Sequence, residues 1–248
     1  MPLNISGSII NSDQARIFSY QNLTTRELVF NLDVAAPESY PGSGTSCYDI
    51  SNNTTNVNVG TLTNGPTYNS GNGGYLSFDG VDDYVTFGNI IDFATYTSGF
   101  TIDLWTYPTS ATVFSSIFSS AWGTSGTQWQ VYVWYNTSSQ FGTTQRYSGT
   151  QNDFNTSTVF PINNWYNVVV TSNNTTCYIY VNGVSQISNS TGQINNQDSS
   201  REIRLGNFKN YSSAQYTGRI SNCKVYSRAL SATEITQNYN IQKSRFGL

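Results

Sequence analysis

The chain has 248 residues, a net charge of −3, no histidine and 15% aromatic residues. So many aromatic residues with so little net charge exclude an intrinsically disordered protein, and the scarcity of Ala, Glu, Lys, Leu and Arg excludes a long coiled coil. The absence of histidine excludes Ser-His-Asp and Cys-His catalytic sites and any histidine-ligated metal site.

The first 74 residues contain few clear elements. We interpret residues 1–24 as an extended N-terminal arm with at most one short strand, Gly7 to Ile10, because no hydrophobic period is sustained there. The sequence ELVFNL at Glu27–Leu32 predicts the first clear strand. Residues 34–74 are rich in Gly, Pro and Asn, which predicts a turn-rich segment that wraps the domain with short strands.

From Tyr75 the pattern becomes regular, and several segments alternate apolar and polar residues with a period of two. Asn173 and Asn174 separate two of the segments and predict a β-hairpin, since Asn tolerates a positive φ. Asn182-Gly183 marks another turn. The predicted strands are Tyr75–Phe78, Tyr84–Phe87, Phe100–Tyr107, Ser115–Ser120, Trp129–Tyr135, Gln140–Tyr147, Trp165–Ser172, Thr176–Val181, Arg201–Leu205 and Gly218–Tyr226.

One segment is predicted as a helix. Ser231 and Glu234 have the spacing of a capping box and open a helix that extends to about Gln242. Ile235 and Tyr239 lie on one face of it, together with Gln242. About ten antiparallel strands in one core predict an all-β fold of two packed sheets, a jelly-roll sandwich formed by residues 25–248.

Three cysteines, Cys47, Cys177 and Cys223, are far apart and have no CxxC spacing. We interpret them as unpaired small apolar residues of a protein made in a reducing cytoplasm.

Six sequence motifs follow one another along the chain. They are YLSFDGVDDYV at Tyr75–Val85, GFTIDLW at Gly99–Trp105, WYNVVVT at Trp165–Thr171, YIYVNG at Tyr178–Gly183, IRLGN at Ile203–Asn207 and GRISNCKVYSRALS at Gly218–Ser231. In this order they resemble the laminin-G-like branch of the concanavalin A-like lectin/glucanase superfamily, and the resemblance covers about residues 27–248. It implies two curved antiparallel sheets, with carbohydrate as the ligand.

Four further segments near the two ends of the chain carry a narrower resemblance. They are LVFNLD at Leu28–Asp33, SYPGSGT at Ser39–Thr45, LTNGPTY at Leu62–Tyr68 and YNIQKSRFGL at Tyr239–Leu248. These opening and closing segments are similar to the version of this domain found in virion proteins of tailed bacteriophages, including cyanophages. This resemblance implies a place on a particle surface or in a fibre.

The chain departs from the family pattern at two places. Cys47 stands where relatives usually carry Trp, which implies local repacking. Ser221 and Asn222 stand where many relatives carry Asp-Glu, and that Asp often helps to hold calcium. The change places the calcium site of the family in question.

Two groups of residues are candidates for binding. Asp79, Asp82 and Asp83 either supply oxygen ligands to a structural calcium ion or form a turn in which carboxylates accept backbone N–H bonds. The densest aromatic stretch either packs in the core or stacks on sugar rings, and alternation puts about half of its strand on each face. Its candidate carbohydrate-binding residues are Trp122, Trp129, Tyr132 and Trp134, of which Trp122 is expected to be the exposed one.

Hydrolysis of a glycoside needs two suitably spaced carboxylates, and no two of the four glutamates lie within one strand. A hydrolase would need Asp residues from different strands, such as Asp103 with Asp153. We therefore predict a non-enzymatic protein without a cofactor, apart from a structural calcium ion if the acidic residues bind one.

The interpretation is a virion structural protein, made in the host cytoplasm, that decorates a capsid or forms part of a tail fibre. Residues 1–24 would be a disordered terminus or, as we favour, an arm that docks on other virion proteins. A homo-oligomer that binds host-surface or environmental glycans is expected. Nucleic-acid binding is not expected, because the 11 cationic residues are scattered along the chain. Membrane insertion is not expected either, because the sequence has no apolar run of about 20 residues. The alternatives are a structural cement protein without glycan binding, and a carbohydrate-active enzyme or its accessory module.

Overall fold

A computed structural model describes residues 23–51, 57–121, 129–147, 150–191, 194, 201–209 and 213–248. Within these residues the chain forms 16 strands and one α-helix, followed by a 3-10 helix at Lys243–Phe246. In chain order the elements are β1 (Leu28–Asp33), β2 (Ser46–Tyr48), β3 (Val59–Thr63), β4 (Thr67–Asn69), β5 (Tyr75–Asp79), β6 (Tyr84–Gly88), β7 (Phe100–Pro108), β8 (Ser115–Ala121), β9 (Trp129–Tyr135), β10 (Phe141–Tyr147), β11 (Thr150–Asn155), β12 (Tyr166–Ser172), β13 (Thr176–Val181), β14 (Val184–Ser190), β15 (Glu202–Leu205), β16 (Thr217–Tyr226) and α1 (Ala232–Gln242).

The strands form two antiparallel sheets of eight strands each. In the first sheet the order is β14-β13-β12-β7-β16-β5-β4. β1 also pairs with β16, where it continues the edge along which β5 pairs. In the second sheet the order is β11-β10-β9-β8-β15-β6-β3-β2. The predicted all-β sandwich of two sheets is therefore confirmed.

The core lies between the sheets because each central strand directs alternate apolar residues inward. In β7 the inward residues Phe100, Ile102 and Leu104 are 0 to 1% exposed. On the outer face of β7, Asp103 and Trp105 are buried as well, because α1 and the 3-10 helix cover this part of the first sheet. There the ring of Trp105 stacks on Phe246 with a centroid distance of 3.9 Å.

The predicted helix and hairpin are confirmed. Ser231 caps α1, accepting a hydrogen bond from the Glu234 amide, while the Glu234 carboxylate accepts one from the Ser231 amide. β12 pairs with β13, and Asn174 in their connection has a φ of 69°. No helix among the described residues is long and apolar enough to span a membrane.

β11 and β14 are not predicted from the sequence. Each is the outermost strand of its sheet, and their sequences, TQNDFN and VSQISNS, are largely polar and partly exposed. An edge strand with little burial does not need the apolar alternation that identifies a central strand. The expected short strands of residues 34–74 are present as β2, β3 and β4, whereas the expected strand at Gly7 to Ile10 lies outside the described residues.

All three cysteines are unpaired and buried, as predicted. Burial raises the pKa of Cys47 and Cys177 to about 12 and also raises that of Cys223. The thiols are therefore protonated at neutral pH and act as small apolar groups in the core.

Candidate carbohydrate-binding face

The candidate site lies on the outer face of the second sheet and is centred on β9. Val131, Val133 and Tyr135 point inward and are fully buried in the core. Tyr132 and Trp134 therefore point outward. Alternation predicts these two sets, and the structure establishes which set enters the core.

Trp134 points outward but is covered. Its indole lies across Gly142, where an added Cβ would be 2.3 Å from the ring, and its Nε1 donates to Thr144 Oγ1 at 2.9 Å. Phe114 packs edge-on against it at 5.0 Å, which leaves Trp134 only 2% exposed. The structure thus argues against the predicted role of Trp134 in stacking on a sugar, because neither face of its ring is accessible.

Tyr132 is only partly buried and is fixed in place by Phe208. The two rings meet at 60° with a centroid distance of 5.1 Å, and Ala121 and Ala214 complete the cluster. Phe208 follows β15, and the carbonyl of Asn207 accepts a hydrogen bond from Ser119 Oγ of β8 at 3.0 Å. The contact between Phe208 and Tyr132 has no sequence signal, because it depends on how this connection folds over β8.

Strand register places Tyr132 in the middle of a polar row that crosses the second sheet. Every member of the row pairs with its neighbours across the ladder. Two members, Thr144 and Ser119, are buried, and the others remain partly or fully accessible. The row is Asp153, Thr144, Tyr132, Ser119, Arg204 and Thr86.

On one side of Tyr132, the row contains a charged network around Glu202. The Glu202 carboxylate accepts hydrogen bonds from Arg204 Nε, Lys209 Nζ and Thr86 Oγ1, each at 2.7 Å. Burial alone would raise the pKa of Glu202, but these three donors lower it to about 2. Glu202 is therefore an ionised anchor, and it holds Arg204 4.1 Å from the centre of the Tyr84 ring.

On the other side, the row ends in exposed polar groups of β11. Gln151 and Asp153 are exposed, and Gln151 Nε2 donates to Asp153 Oδ2 at 2.5 Å. An accessible aromatic ring between amide, carboxylate and guanidinium groups can contact both the apolar face and the hydroxyl groups of a sugar.

The side chains of two of the four predicted carbohydrate-binding residues lie outside the described part of the chain. Trp122 lies outside the described residues. Trp129 is the first residue of β9, and only its backbone is described. Their roles stay predictions.

The three acidic residues of the β5–β6 connection do come together. Their carboxylate oxygens lie within 4.8 Å of one another; Asp79 and Asp82 are exposed and Asp83 is buried. The Asp83 carboxylate accepts the Asp79 amide at 3.0 Å, and the Asp79 carboxylate accepts the Val81 amide at 2.8 Å. Burial, and then the charges of Asp79 and Asp82, raise the pKa of Asp83. The carboxylates thus make the bonds of a turn, and calcium binding by them stays a prediction.

The sequence matches the family model of the concanavalin A-like lectin/glucanases superfamily over residues 79–236. The chain belongs to this superfamily. No significant match was found among curated protein sequences.

Solved structures of several other proteins have the same fold. The binding domain of Paraclostridial Mosquitocidal Protein 1 has a TM-score of 0.64 and 21% identity, covering 87% of this chain and 52% of the toxin domain. This chain thus spans about half of that domain. Domain 4 of AbnA, an arabinanase of Geobacillus stearothermophilus solved with arabinotriose, has a TM-score of 0.63 and 16% identity, covering 86% of this chain and 98% of that domain. Trypanosoma rangeli sialidase in complex with sialic acid has a TM-score of 0.66 and 16% identity, and the match covers 90% of this chain and 34% of the sialidase.

Ser221, where the chain differs from the superfamily pattern, lies away from the turn formed by Asp79, Asp82 and Asp83. Asp79 pairs with Thr217, and Ser221 lies four residues further along β16, about 13 Å away at strand spacing. Ser221 Oγ donates to the Gly74 carbonyl at 2.6 Å and accepts a hydrogen bond from Arg245. Ser221 therefore does not lie beside Asp79, Asp82 and Asp83, and calcium binding by these three residues stays a prediction.

The carboxylates considered for the hydrolase activity of the superfamily are not paired. Asp103 lies on the outer face of the first sheet and accepts a hydrogen bond from Asn167 at 2.7 Å. Asp153 lies on the outer face of the second sheet. Two packed sheets are about 10 Å apart, so carboxylates on their opposite outer faces are beyond the separation that glycoside hydrolysis uses.

Proposed function

We propose that this chain is a non-enzymatic carbohydrate-binding domain that holds a glycan on the outer face of its second sheet. The observation that carries the proposal is the position of Tyr132, an accessible ring in the middle of the polar row. Domain 4 of AbnA, with the same fold, was solved with arabinotriose, and this supports a carbohydrate as the ligand class.

The chemistry assigns separate roles along the row. The Tyr132 ring stacks against the C–H face of a sugar, and Phe208 keeps the ring from rotating away. On one side of Tyr132, the Asp153 carboxylate accepts hydrogen bonds from sugar hydroxyl groups and the Gln151 amide accepts and donates them. On the other side, the Arg204 guanidinium donates hydrogen bonds to the sugar. Trp122 would add a second stacking ring. A single site of this kind binds weakly, and many copies on one particle raise the overall avidity.

The test is glycan-array binding with a multimerised chain, followed by titration of the best glycan. Tyr132→Ala is expected to reduce affinity up to about tenfold, since stacking contributes about 0.5–1.5 kcal/mol. Tyr178→Ala is the matched control, because Tyr178 is a partly buried tyrosine of the first sheet. If no glycan binds, or if Tyr132→Ala binds as well as the control, the proposal fails and the role of structural cement protein is favoured.

The proposal extends to a tailed-phage virion, on the resemblance of the opening and closing segments to phage virion domains. In this setting the protein is made in the host cytoplasm, forms a homo-oligomer on the capsid or tail, and docks on other virion proteins through residues 1–24. Thr24 contacts the folded domain, since its amide donates to Asn238 and its carbonyl accepts from Tyr226.

The docking role is tested by deleting residues 1–22, which leaves the Thr24 hydrogen bonds in place. We expect the truncated protein to keep the β-rich circular dichroism spectrum but to be lost from purified particles. Normal incorporation of the truncated protein would contradict the docking role.

A further inference from the structure

Arg219 occupies the outer face of the first sheet, the opposite side of the sandwich from Tyr132. It lies on β16, where it pairs with Ser77 of β5 on one side and with Tyr107 of β7 on the other. The neighbours Ile220 and Gly218 are buried, while Arg219 and Tyr107 are only partly buried. The Arg219 side chain is thus accessible at the margin of the area that the C-terminal segment covers.

Two tyrosine rings hold the guanidinium group. The Arg219 Cζ atom lies 4.4 Å from the centroid of the Tyr107 ring and 5.0 Å from that of Tyr75. Trp165 packs edge-on against both rings, at 5.5 Å from Tyr107 and 5.7 Å from Tyr75. A cation fixed over aromatic faces keeps its charge and loses little further entropy when a ligand binds.

The N–H groups of this guanidinium donate no hydrogen bond within the part of the chain that the structure describes. No carboxylate there lies within 4.0 Å of Arg219, and its side chain makes no hydrogen bond to another described residue. In contrast, Arg204, Arg228 and Arg245 each form an ion pair at 2.6 to 3.0 Å. Arg219 thus differs from these arginines, whose charges are neutralised by the protein.

Asp79, the nearest acidic residue in the ladder, does not form an ion pair with Arg219 either. Asp79 is two residues after Ser77 in β5, whereas Tyr75 is two residues before it. Since the guanidinium reaches the Tyr75 ring, the side chain extends away from Asp79. Its in-plane N–H donors are therefore available to an anion from solution, in the fork geometry that matches a carboxylate.

We infer that Arg219 and Tyr107 form a second binding subsite, specific for the carboxylate of an acidic sugar and separate from the second-sheet face. The guanidinium binds the carboxylate through two N–H bonds. The Tyr107 hydroxyl and the hydroxyl of Ser77, adjacent in the ladder, supply neutral partners for the sugar hydroxyls. A carboxylate-bearing sugar can be a uronic acid or a sialic acid, and the test below separates the two.

The experiment titrates the full chain with digalacturonate, sialyllactose and, as the neutral reference, lactose, using calorimetry at low salt. At least one acidic sugar is expected to bind more tightly than lactose, and added salt is expected to weaken that preference. Arg219→Gln is expected to reduce the affinity for this sugar about tenfold or more, since a hydrogen bond to a charged group contributes about 1.5–3 kcal/mol. The affinity for lactose is expected to stay unchanged.

Two variants control for charge and for geometry. Arg26→Gln removes the same charge from a side chain that is 80% exposed, and it is expected to leave all affinities unchanged. Arg219→Lys keeps the charge but removes the planar fork, and it is expected to restore less than half of the lost binding free energy. Thermal unfolding of each variant verifies that the fold is retained.

Equal binding of acidic and neutral sugars by the wild-type chain would overturn the inference, as would an unchanged acidic preference in folded Arg219→Gln. Tyr132→Ala separates this subsite from the proposed function. If the acidic preference survives in Tyr132→Ala and is lost in Arg219→Gln, the subsite is independent of the second-sheet face. If it is lost in Tyr132→Ala and survives in Arg219→Gln, the acidic sugar binds at the second-sheet face, and the inference is wrong.

Discussion

The ion pairs of Glu202 are expected to make a measurable, pH-dependent contribution to stability. The difference between the ordinary glutamate pKa of 4.5 and the folded-state value of about 2 corresponds to about 3 kcal/mol. The Glu202 side chain is 18% exposed, so water screens part of this contribution. We therefore expect Glu202→Gln to lower the free energy of unfolding by about 2 kcal/mol at pH 7.

The sign of the pH dependence follows from the lowered pKa. Because the folded state holds the proton less tightly than the unfolded chain does, the stabilisation is fully present above about pH 4.5 and is lost as the pH falls towards 2. The difference between wild type and Glu202→Gln is thus expected to shrink to less than half of its neutral-pH value by about pH 3.

Urea unfolding followed by tryptophan fluorescence at neutral and acidic pH measures this difference. Glu38→Gln is the matched control, because Glu38 is exposed and makes no ion pair within the described residues. The control is expected to unfold like the wild type at both pH values. A Glu202→Gln effect that is the same at pH 7 and pH 3, or that does not exceed the effect of the control, would refute the reasoning.

Three further predictions concern packing, capping and metal binding. Gly142→Ala is expected to destabilise the fold by about 1–3 kcal/mol, because the new Cβ collides with the indole of Trp134. The displaced indole is expected to become accessible to a fluorescence quencher, and unchanged quenching would contradict this prediction. Ser231→Ala removes the helix cap and is expected to cost about 1 kcal/mol in urea unfolding. Millimolar calcium is expected to leave the melting temperature unchanged, and a rise that Asp82→Asn abolishes would instead establish calcium binding.

The sequence predicts the central strands of both sheets well because burial on one face imposes a period of two. Phe100, Ile102 and Leu104 show this pattern, and the capping box at Ser231 identifies the start of the helix equally well. Edge strands carry no such constraint. β11, with only Phe154 buried, therefore has the polar composition of a loop.

The candidate site is less predictable, because alternation divides β9 into two faces without indicating which one is covered. Trp134 is the stronger sugar-binding candidate by residue type, but Gly142 on the next strand lets its ring lie flat and become buried. The network of Glu202 with Thr86 joins residues 116 positions apart, and Arg219 meets Tyr107 only through the pairing of β16 with β7. Such contacts depend on tertiary register, which no local pattern encodes.

The pairing of β1 with β16 has a consequence for how the chain folds during synthesis. Leu28 pairs with Tyr226, and the buried Asp33 forms its 3.0 Å ion pair with Arg245, 212 residues later. The first strand therefore has no partner in the first sheet until β16 has left the ribosome. Contacts this distant in sequence slow folding and leave β1 exposed meanwhile. Polypeptides that stop before β16 are expected to aggregate or be degraded, so that only chains that include β16 accumulate.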